Sequence, residues 1–273
     1  YLHDNISLED ENSMATYSVG GLILSNSGMI TSNYWLSEVY DAQITNAHKN
    51  GDLYIHNINM LTGCSAGWSL EDLILKGLPS VNKMISSLPA KHLSTLCNQM
   101  VNFLGIMQNE WASAQSFAHF DTLLVPFIHQ DKLSVKMVSD CLESFIYGIN
   151  IPSRWGTQAP FSQITLDWNV PQEFINKKAI VAGGECDFTY GDCQKEMKIL
   201  HDALFEVINK GDISGRGFQF PIIALYLNPD FDWMHEEELF KACAKYGTPY
   251  FLTKEKQDAE GYFGYKPLCG SMG

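Results

Sequence analysis

Positive charge is scarce in this chain: 18 lysines and arginines stand against 31 aspartates and glutamates, a formal net charge of −13 over 273 residues. So acidic a chain offers no basic field to hold polymeric DNA or RNA, although a single phosphorylated metabolite needs only a few local donors. Long hydrophobic runs are missing too. No stretch reaches the roughly 18 apolar residues of a membrane span, and no basic segment leads into an apolar one as in a secretory leader. The expectation is a soluble, cytoplasmic protein with neither nucleic-acid polymer nor membrane as partner. Cysteine is present but unorganised: Cys64, Cys97, Cys141, Cys186, Cys193, Cys243 and Cys269 are odd in number and show no C-x-x-C spacing. That scatter points away from a disulfide framework or zinc clip and towards reduced, mostly buried thiols. No metal site is expected, because His48 and His56 have no carboxylate or thiol at ligand spacing; structural hydrogen bonding is their expected role.

What the chain does have is 45% hydrophobic content, enough to bury a substantial core in one large domain or two moderate ones. Residues 46–68 organise the rest. Asn50-Gly51 is a turn signal because both residues tolerate positive φ, and the apolar-rich run at 53–60 after it reads as a strand. That strand would deliver Cys64 into the small-residue loop Thr62-Gly63-Cys64-Ser65-Ala66-Gly67, where a thiol can approach a ligand without crowding.

Upstream, residues 32–47 read as a helix capped by Ser32, with Trp35, Leu36, Val39, Tyr40 and Ile44 at helical spacing. Downstream, residues 69–77 read as a short helix closed by Gly77. Residues 91–118 form the longest periodic segment, with Leu93, Leu96, Cys97, Met100, Val101, Leu104, Met107 and Trp111 on one stripe. An alternation follows: strand 120–128, a helix from Ser134 to 148, strand 161–168, helix 192–210 closed by Gly211, strand 218–227, helix 236–246 and strand 248–252. Five strands separated by helices argue an α/β fold with helices outside a mostly parallel sheet, and leave barrel and open sheet equally available. Gly215-Arg216-Gly217 leads into a strand and not a helix, so it reads as a turn and not as a nucleotide fingerprint.

Several runs carry a family resemblance. The 46–64 stretch is similar to A-H-x-x-G-D-I-H-I-H-D-L followed by a cysteine, with Tyr54 in place of a His and Asn57 in place of an Asp. Glu11-Asn12-Ser13-Met14 is similar to E-N-S-N-M, with Met14 for the second Asn. Gln108-Asn109-Glu110-Trp111-Ala112-Ser113-Ala114-Gln115-Ser116-Phe117 is similar to Q-N-E-x-A-G-A-Q-x-F. Gln158-Ala159-Pro160-Phe161, Ile164-Thr165-Leu166-Asp167-Trp168, Asp187-Phe188-Thr189-Tyr190-Gly191-Asp192, Gly215-Arg216-Gly217-Phe218-Gln219-Phe220-Pro221, Asp230-Phe231-Asp232-Trp233 and Tyr246-Gly247-Thr248-Pro249-Tyr250-Phe251 follow in order. In sequence and spacing these resemble the anaerobic (class III) ribonucleotide reductases of the glycyl-radical enzyme superfamily, over nearly the whole chain.

The resemblance implies half of a ten-stranded α/β barrel, with residues 1–45 as lead-in helices and 46–273 as the half-barrel. It also implies reduction of ribonucleoside triphosphates by glycyl and thiyl radical chemistry. A glycyl radical installed by a radical S-adenosylmethionine activase, formate or a thiol as reductant, ATP and dNTP effectors, and a homodimer would go with it. No cofactor is expected to be bound by this chain alone. Cys64 matches the second redox cysteine of the family. Arg154, Gly156 and Gln158 lie on a loop similar to one near the family's active site and are the candidate substrate contacts. Gln108, Glu110 and Gln115, on the expected long helix, are candidates for the effector site or subunit interface, with a solvated helix face as the plain alternative.

Set against the family's order, the ATP-binding cone, the thiyl-cysteine segment, the second half-barrel and the C-terminal zinc cysteines and radical glycine have no counterpart among these residues. Cys269 stands where the family usually has Thr and is the remaining candidate thiol. The expectation is therefore an enzyme piece inactive on its own. The alternative is a non-catalytic remnant or paralogue that binds nucleotides or a partner subunit.

Overall fold

The computed structural model describes residues 19–60, 62, 63, 65–79, 86–151, 159–227, 231–234 and 236–253. The Glu11-Asn12-Ser13-Met14 segment lies outside them. Two helices lead in, α1 (Val19–Tyr34) and α2 (Ala42–Asn50), joined through a π-helical turn at Trp35–Val39. The helix expected at 32–47 is thus split. Ser32 lies inside α1, and the real cap is Asp41, whose carboxylate accepts the N–H groups of Gln43 and Ile44, both at 2.9 Å. Gly51 closes α2 at φ 82°, so Asn50-Gly51 ends a helix where a hairpin turn was expected.

No strand forms at 53–60. The imidazole Nδ1 of His48 lies 3.2 Å from the Leu53 carbonyl and accepts the N–H of Ile55 at 3.3 Å, taking backbone groups a ladder would need. Asn57, at φ 51°, breaks the extended run. Tyr54 packs against both His48 and His56, with ring centroids 6.0 and 4.8 Å away, so the hydrogen-bonding role expected for His48 is the observed one.

The core begins with β1 (Ala66–Trp68) and α3 (Leu70–Lys76), the latter capped by Ser69 and ended by Gly77 as the residues suggested. Helix α4 (Leu93–Met107) stops eleven residues short of the expected end, and β2 (Gln115–Phe117) occupies what was read as its last turn. Then comes α5 (Phe120–Asp131), where a strand was expected. Residues 120–128 are buried without exception; a helix buried on all sides shows no periodicity to separate it from a core strand. Helix α6 (Val135–Asn150), capped by Ser134, leads to β3 (Ser162–Leu166) and the single turn α7 (Gln172–Ile175).

A hairpin absent from the sequence expectations follows, β4 (Lys178–Val181) and β5 (Gly184–Thr189). It turns on Ala182 and Gly183, both at positive φ as a type I′ turn requires. The chain ends its described course with α8 (Gln194–Lys210), β6 (Ile222–Leu227), α9 (Glu237–Tyr246) and β7 (Tyr250–Thr253).

The main sheet has the order β1-β2-β3-β6-β7 and every pairing in it is parallel. Consecutive strands lie side by side, and α4, α6, α8 and α9 pack in that order as one layer. Register then separates the two faces. Phe117, Ile164, Leu166, Ile223 and Leu225 join the helices in the main core. The alternate positions Ser116, Gln163, Thr165, Ile222, Ala224, Tyr226, Tyr250 and Leu252 form the opposite face, polar on β2 and β3 and more apolar on β6 and β7. Five strands were expected and the main sheet has five, with β1 and β2 replacing the runs at 53–60 and 120–128; the β4–β5 hairpin stands apart from it.

Candidate functional site

In parallel α/β sheets, chemistry gathers at the carboxyl ends of strands, where loops can project polar groups from a rigid frame. Here β2 and β3 end side by side. His119 lies two residues beyond β2, at φ 51° and ψ 38°, and begins α5; Asp167 and Trp168 follow β3 directly, Trp168 at φ 68°. Left-handed backbone is costly for such residues and persists only where surrounding contacts impose it.

Those contacts form two linked carboxylate–imidazole pairs. His119 Nδ1 lies 3.0 and 2.9 Å from the two carboxylate oxygens of Asp167, and the Thr122 hydroxyl donates to Asp167 Oδ2 at 2.6 Å. Behind them Asp121, fully buried on α5, accepts the N–H of Asp167 at 3.0 Å on both oxygens and the N–H groups of Trp168 and Thr122 at 2.9 Å. His201 of α8 completes it, with Nε2 2.9 Å from Asp121 Oδ2 and its ring stacked flat on Trp168. Asp121 thus fixes the peptide that carries Asp167, and Asp167 fixes the imidazole of His119.

The electrostatics follow from burial and pairing. Burial alone would raise the Asp121 carboxyl, but the hydrogen bond and charge of His201, with the N–H groups of Asp167 and Trp168, hold it below the ordinary value. Burial pushes the Asp167 carboxyl up. His119 and Thr122 oppose that, the Asp121 charge adds to it, and the net direction is upward. Burial also works against an imidazolium at His119, yet Asp167, Asp121 and Glu173 outweigh it and raise its pKa. With both members shifted up, the His119–Asp167 pair holds their shared proton more tightly than either group would alone.

Of the residues singled out from the sequence, Cys64, Cys269, Arg154, Gly156 and Gln158 lie outside the described residues. The neighbours of position 64 are described. The Gly63 carbonyl accepts the N–H of Ala112 at 3.0 Å, the Thr62 hydroxyl donates to the Glu110 carbonyl, and the Ala66 N–H donates to the Ala114 carbonyl at 3.0 Å. Thr62, Gly63 and Ala66 are therefore stitched to Glu110, Ala112 and Ala114 at the amino end of β1, whereas the loop was expected to follow a strand.

Gln108, Glu110 and Gln115 do not share a helix face. Glu110 is exposed in the turn after α4, and the Gln108 side-chain nitrogen is buried with no partner. Gln115 is fully buried on β2, where it accepts from Trp68 Nε1 at 3.0 Å and donates to the Leu104 carbonyl at 3.2 Å. It ties sheet to helix, which corrects its placement on the long helix and on a solvated face.

The five described cysteines are free thiols. Burial pushes the Cys193 thiol up to about 12, as suits a packed and unreactive group. Among the described residues no three His, Cys, Asp or Glu side chains gather as a metal site, and no helix is long and apolar enough to cross a membrane. Arg216 pairs with Asp212 at 2.8 Å in the turn expected around Gly215. The signal for His119, Asp121, Thr122, Asp167 and His201 was present but unused: ionisable residues sit within or directly after apolar runs, where burial demands partners.

Comparisons with known proteins agree with this fold. No relative among the curated proteins matches the chain. The anaerobic ribonucleotide reductase from Thermotoga maritima with glycerol in the active site superposes with a TM-score of 0.68 at 20% identity, covering 88% of this chain and 43% of that one. The same reductase in complex with dATP and CTP gives 0.65 at 18%, covering 87% and 43%. Another anaerobic ribonucleotide reductase gives 0.66 at 21%, covering 88% and 41%. The chain thus spans less than half the length of the structures it matches, and that share fits half of their α/β barrel. The family model for anaerobic ribonucleoside-triphosphate reductase matches residues 11–271, and the chain belongs to that family.

Proposed function

We propose that this chain is the N-terminal half-barrel of the catalytic subunit of an anaerobic ribonucleoside-triphosphate reductase. Residues 46–273 would build the half-barrel and residues 1–45 lead into it. The observation that carries this reading is the main sheet: five parallel strands in sequential order, helices on one face and, on the other, a face that is polar at β2 and β3. Such a face suits a polar substrate inside a completed barrel, with Ser116, Gln163, Thr165 and Tyr226 turned towards it.

The reaction replaces the 2′-hydroxyl of a ribose by hydrogen. A protein radical removes the C3′ hydrogen, the hydroxyl leaves as water, and two electrons must then be supplied before the C3′ hydrogen returns. Cys64 is the proposed thiol donor, with formate or a second thiol as co-reductant, because a thiol exchanges hydrogen with carbon radicals and can be re-reduced. The rest of the barrel, a glycyl radical and a radical S-adenosylmethionine activase complete the enzyme in this reading. Helix α1 supports an assembled state. Val19, Ile23, Met29 and Ile30 are exposed, and residues 19–37 contain no charged side chain, a surface suited to cover by a second subunit.

The test is anaerobic expression of the complete reading frame with an activase, followed by incubation with ribonucleoside triphosphates and formate. Deoxyribonucleotide product and a glycyl radical signal in electron paramagnetic resonance are expected. A reading frame that ends at Gly273, with neither product nor radical, would overturn the catalytic reading and leave nucleotide binding as the role to measure.

A further inference from the structure

His119 has a second nitrogen that the fold does not use. Its Nδ1 is committed to Asp167, so that position carries the hydrogen and faces inward. Among the described residues Nε2 has no hydrogen-bond partner and is not buried, in a side chain that keeps 20% of its surface exposed at the carboxyl edge of the sheet. One face of the arrangement is therefore over-determined while its outward end is open. Thr122 and the Asp121 cluster hold the carboxylate that holds the imidazole, so that Nε2 is presented in a fixed direction.

The surroundings say which ligand would suit it. The ring of Phe174 lies 5.1 Å from the His119 ring, and the Lys177 ammonium sits 4.6 Å from the centroid of that same Phe174 ring. Among the described residues Lys177 forms no ion pair, as Lys49, Lys91, Lys132 and Lys195 do not, so its ammonium is available to an anion. The carboxylates nearby are mostly spoken for. Asp121 is matched by His201 and backbone N–H groups, Asp167 by His119 and Thr122, and only the exposed Glu173 adds unmatched negative charge. His119 also opens a twelve-residue helix, whose dipole favours an anion at the same end.

We propose that His119 Nε2, with Lys177 on the shared Phe174 ring, binds a phosphate group of a nucleotide at the carboxyl edge of β2 and β3. The site is a point of charge-assisted hydrogen bonding and not a proton-transfer centre. The carrier of the phosphate rests on the reductase reading, in which ribonucleotide substrates and deoxyribonucleotide effectors both bear triphosphates. The site itself does not rest on it.

The experiment is protection mapping on the full gene product. Histidines are carbethoxylated with diethyl pyrocarbonate and located by mass spectrometry, with and without inorganic tripolyphosphate. Modification of His119 should fall several-fold, while His92, whose side chain is 64% exposed, stays unchanged. Unchanged labelling at His119, or equal protection of both histidines, would overturn the proposal. Repeating the mapping with CTP and with dATP separates substrate from effector as the source, since only the bound class protects.

A His119→Asn variant then separates binding from folding. Its amide can still donate to Asp167 and tolerates the left-handed backbone, but it lacks Nε2. The variant should stay folded and match the parent in thermal stability on the alkaline side, where the His119 contribution is already lost, while tripolyphosphate affinity falls about tenfold; undiminished affinity would contradict the assignment. Failure of the enzyme to make deoxyribonucleotides would leave both measurements untouched.

Discussion

The indole of Trp168 lies flat on the imidazole of His201, ring centroids 4.0 Å apart and planes 3° from parallel. Because Trp168 is held at φ 68° and its N–H is bound by Asp121, the stack joins the end of β3 to α8 through the carboxylate that His201 also contacts.

His201 substitutions divide these contributions. His201→Phe keeps an aromatic surface under the indole but leaves a buried carboxylate without its side-chain donor, which should destabilise by about 3–5 kcal/mol. His201→Gln can still donate to Asp121 and should cost only about 1–2 kcal/mol, mainly in lost stacking. Urea denaturation followed by tryptophan fluorescence reads the difference, and equal costs for the two variants would mean that packing, not the carboxylate, carries the site.

The two acidic pairs should respond to pH in opposite senses. His119 has a folded pKa above its ordinary 6.5, so its contribution is fully present below that value and is lost as the pH rises through the raised folded value. Asp167, also shifted up from 3.8, works in the same sense at lower pH. Asp121 is shifted down from 3.8; its contribution is present above that value and is lost as the pH falls through the folded one. Urea midpoints measured across this range should show a decline on the alkaline side that His119→Asn flattens, and an acid-side loss that the variant leaves in place.

Much of the fold was legible because local chemistry and tertiary structure agree there. Ser69 and Ser134 cap helices, Gly77 and Gly211 end them, and β3, β6 and β7 read as apolar β-branched runs. The failures share a cause: burial erases pattern. Helix α5 is buried along residues 120–128, and β1 and β2 are three residues each, too short to show an alternation. At 53–60 the pattern was strand-like, but among the described residues no partner strand lies beside it, and His48 takes up its backbone groups. The candidate site was less legible still, since His119 and Asp167 are 48 residues apart and only the adjacency of β2 and β3 brings them together.

Gln115 offers a separate test of the effector role expected for it. Its amide is buried between the Trp68 indole N–H and the Leu104 carbonyl. Gln115→Leu would leave both groups unpaired in the interior and should cost about 2–4 kcal/mol. Affinity for dATP or ATP, measured by titration on folded protein, should not change. A variant of normal stability with altered effector response would restore the surface role.

Gly63, beside the proposed thiol in sequence, packs against the Trp111 ring. A β-carbon at residue 63 would stand 2.5 Å from the edge of the Trp111 ring, and that ring is itself packed edge-on against Trp68 with centroids 5.9 Å apart. Gly63→Ala must therefore push the indole away or shift the loop that is stitched to residues 110–114, at a cost of about 1–3 kcal/mol. The near-ultraviolet circular dichroism of the tryptophan pair should change with it. If Cys64 is the reducing thiol, the same displacement should lower deoxyribonucleotide formation, while Cys64→Ser should reduce it to background. Gly63→Ala placed in a Trp111→Leu background should lose most of its cost in both stability and turnover, because the steric partner is gone. An unchanged penalty in that background would mean that the glycine is required by the backbone of the loop and not by the ring beside it.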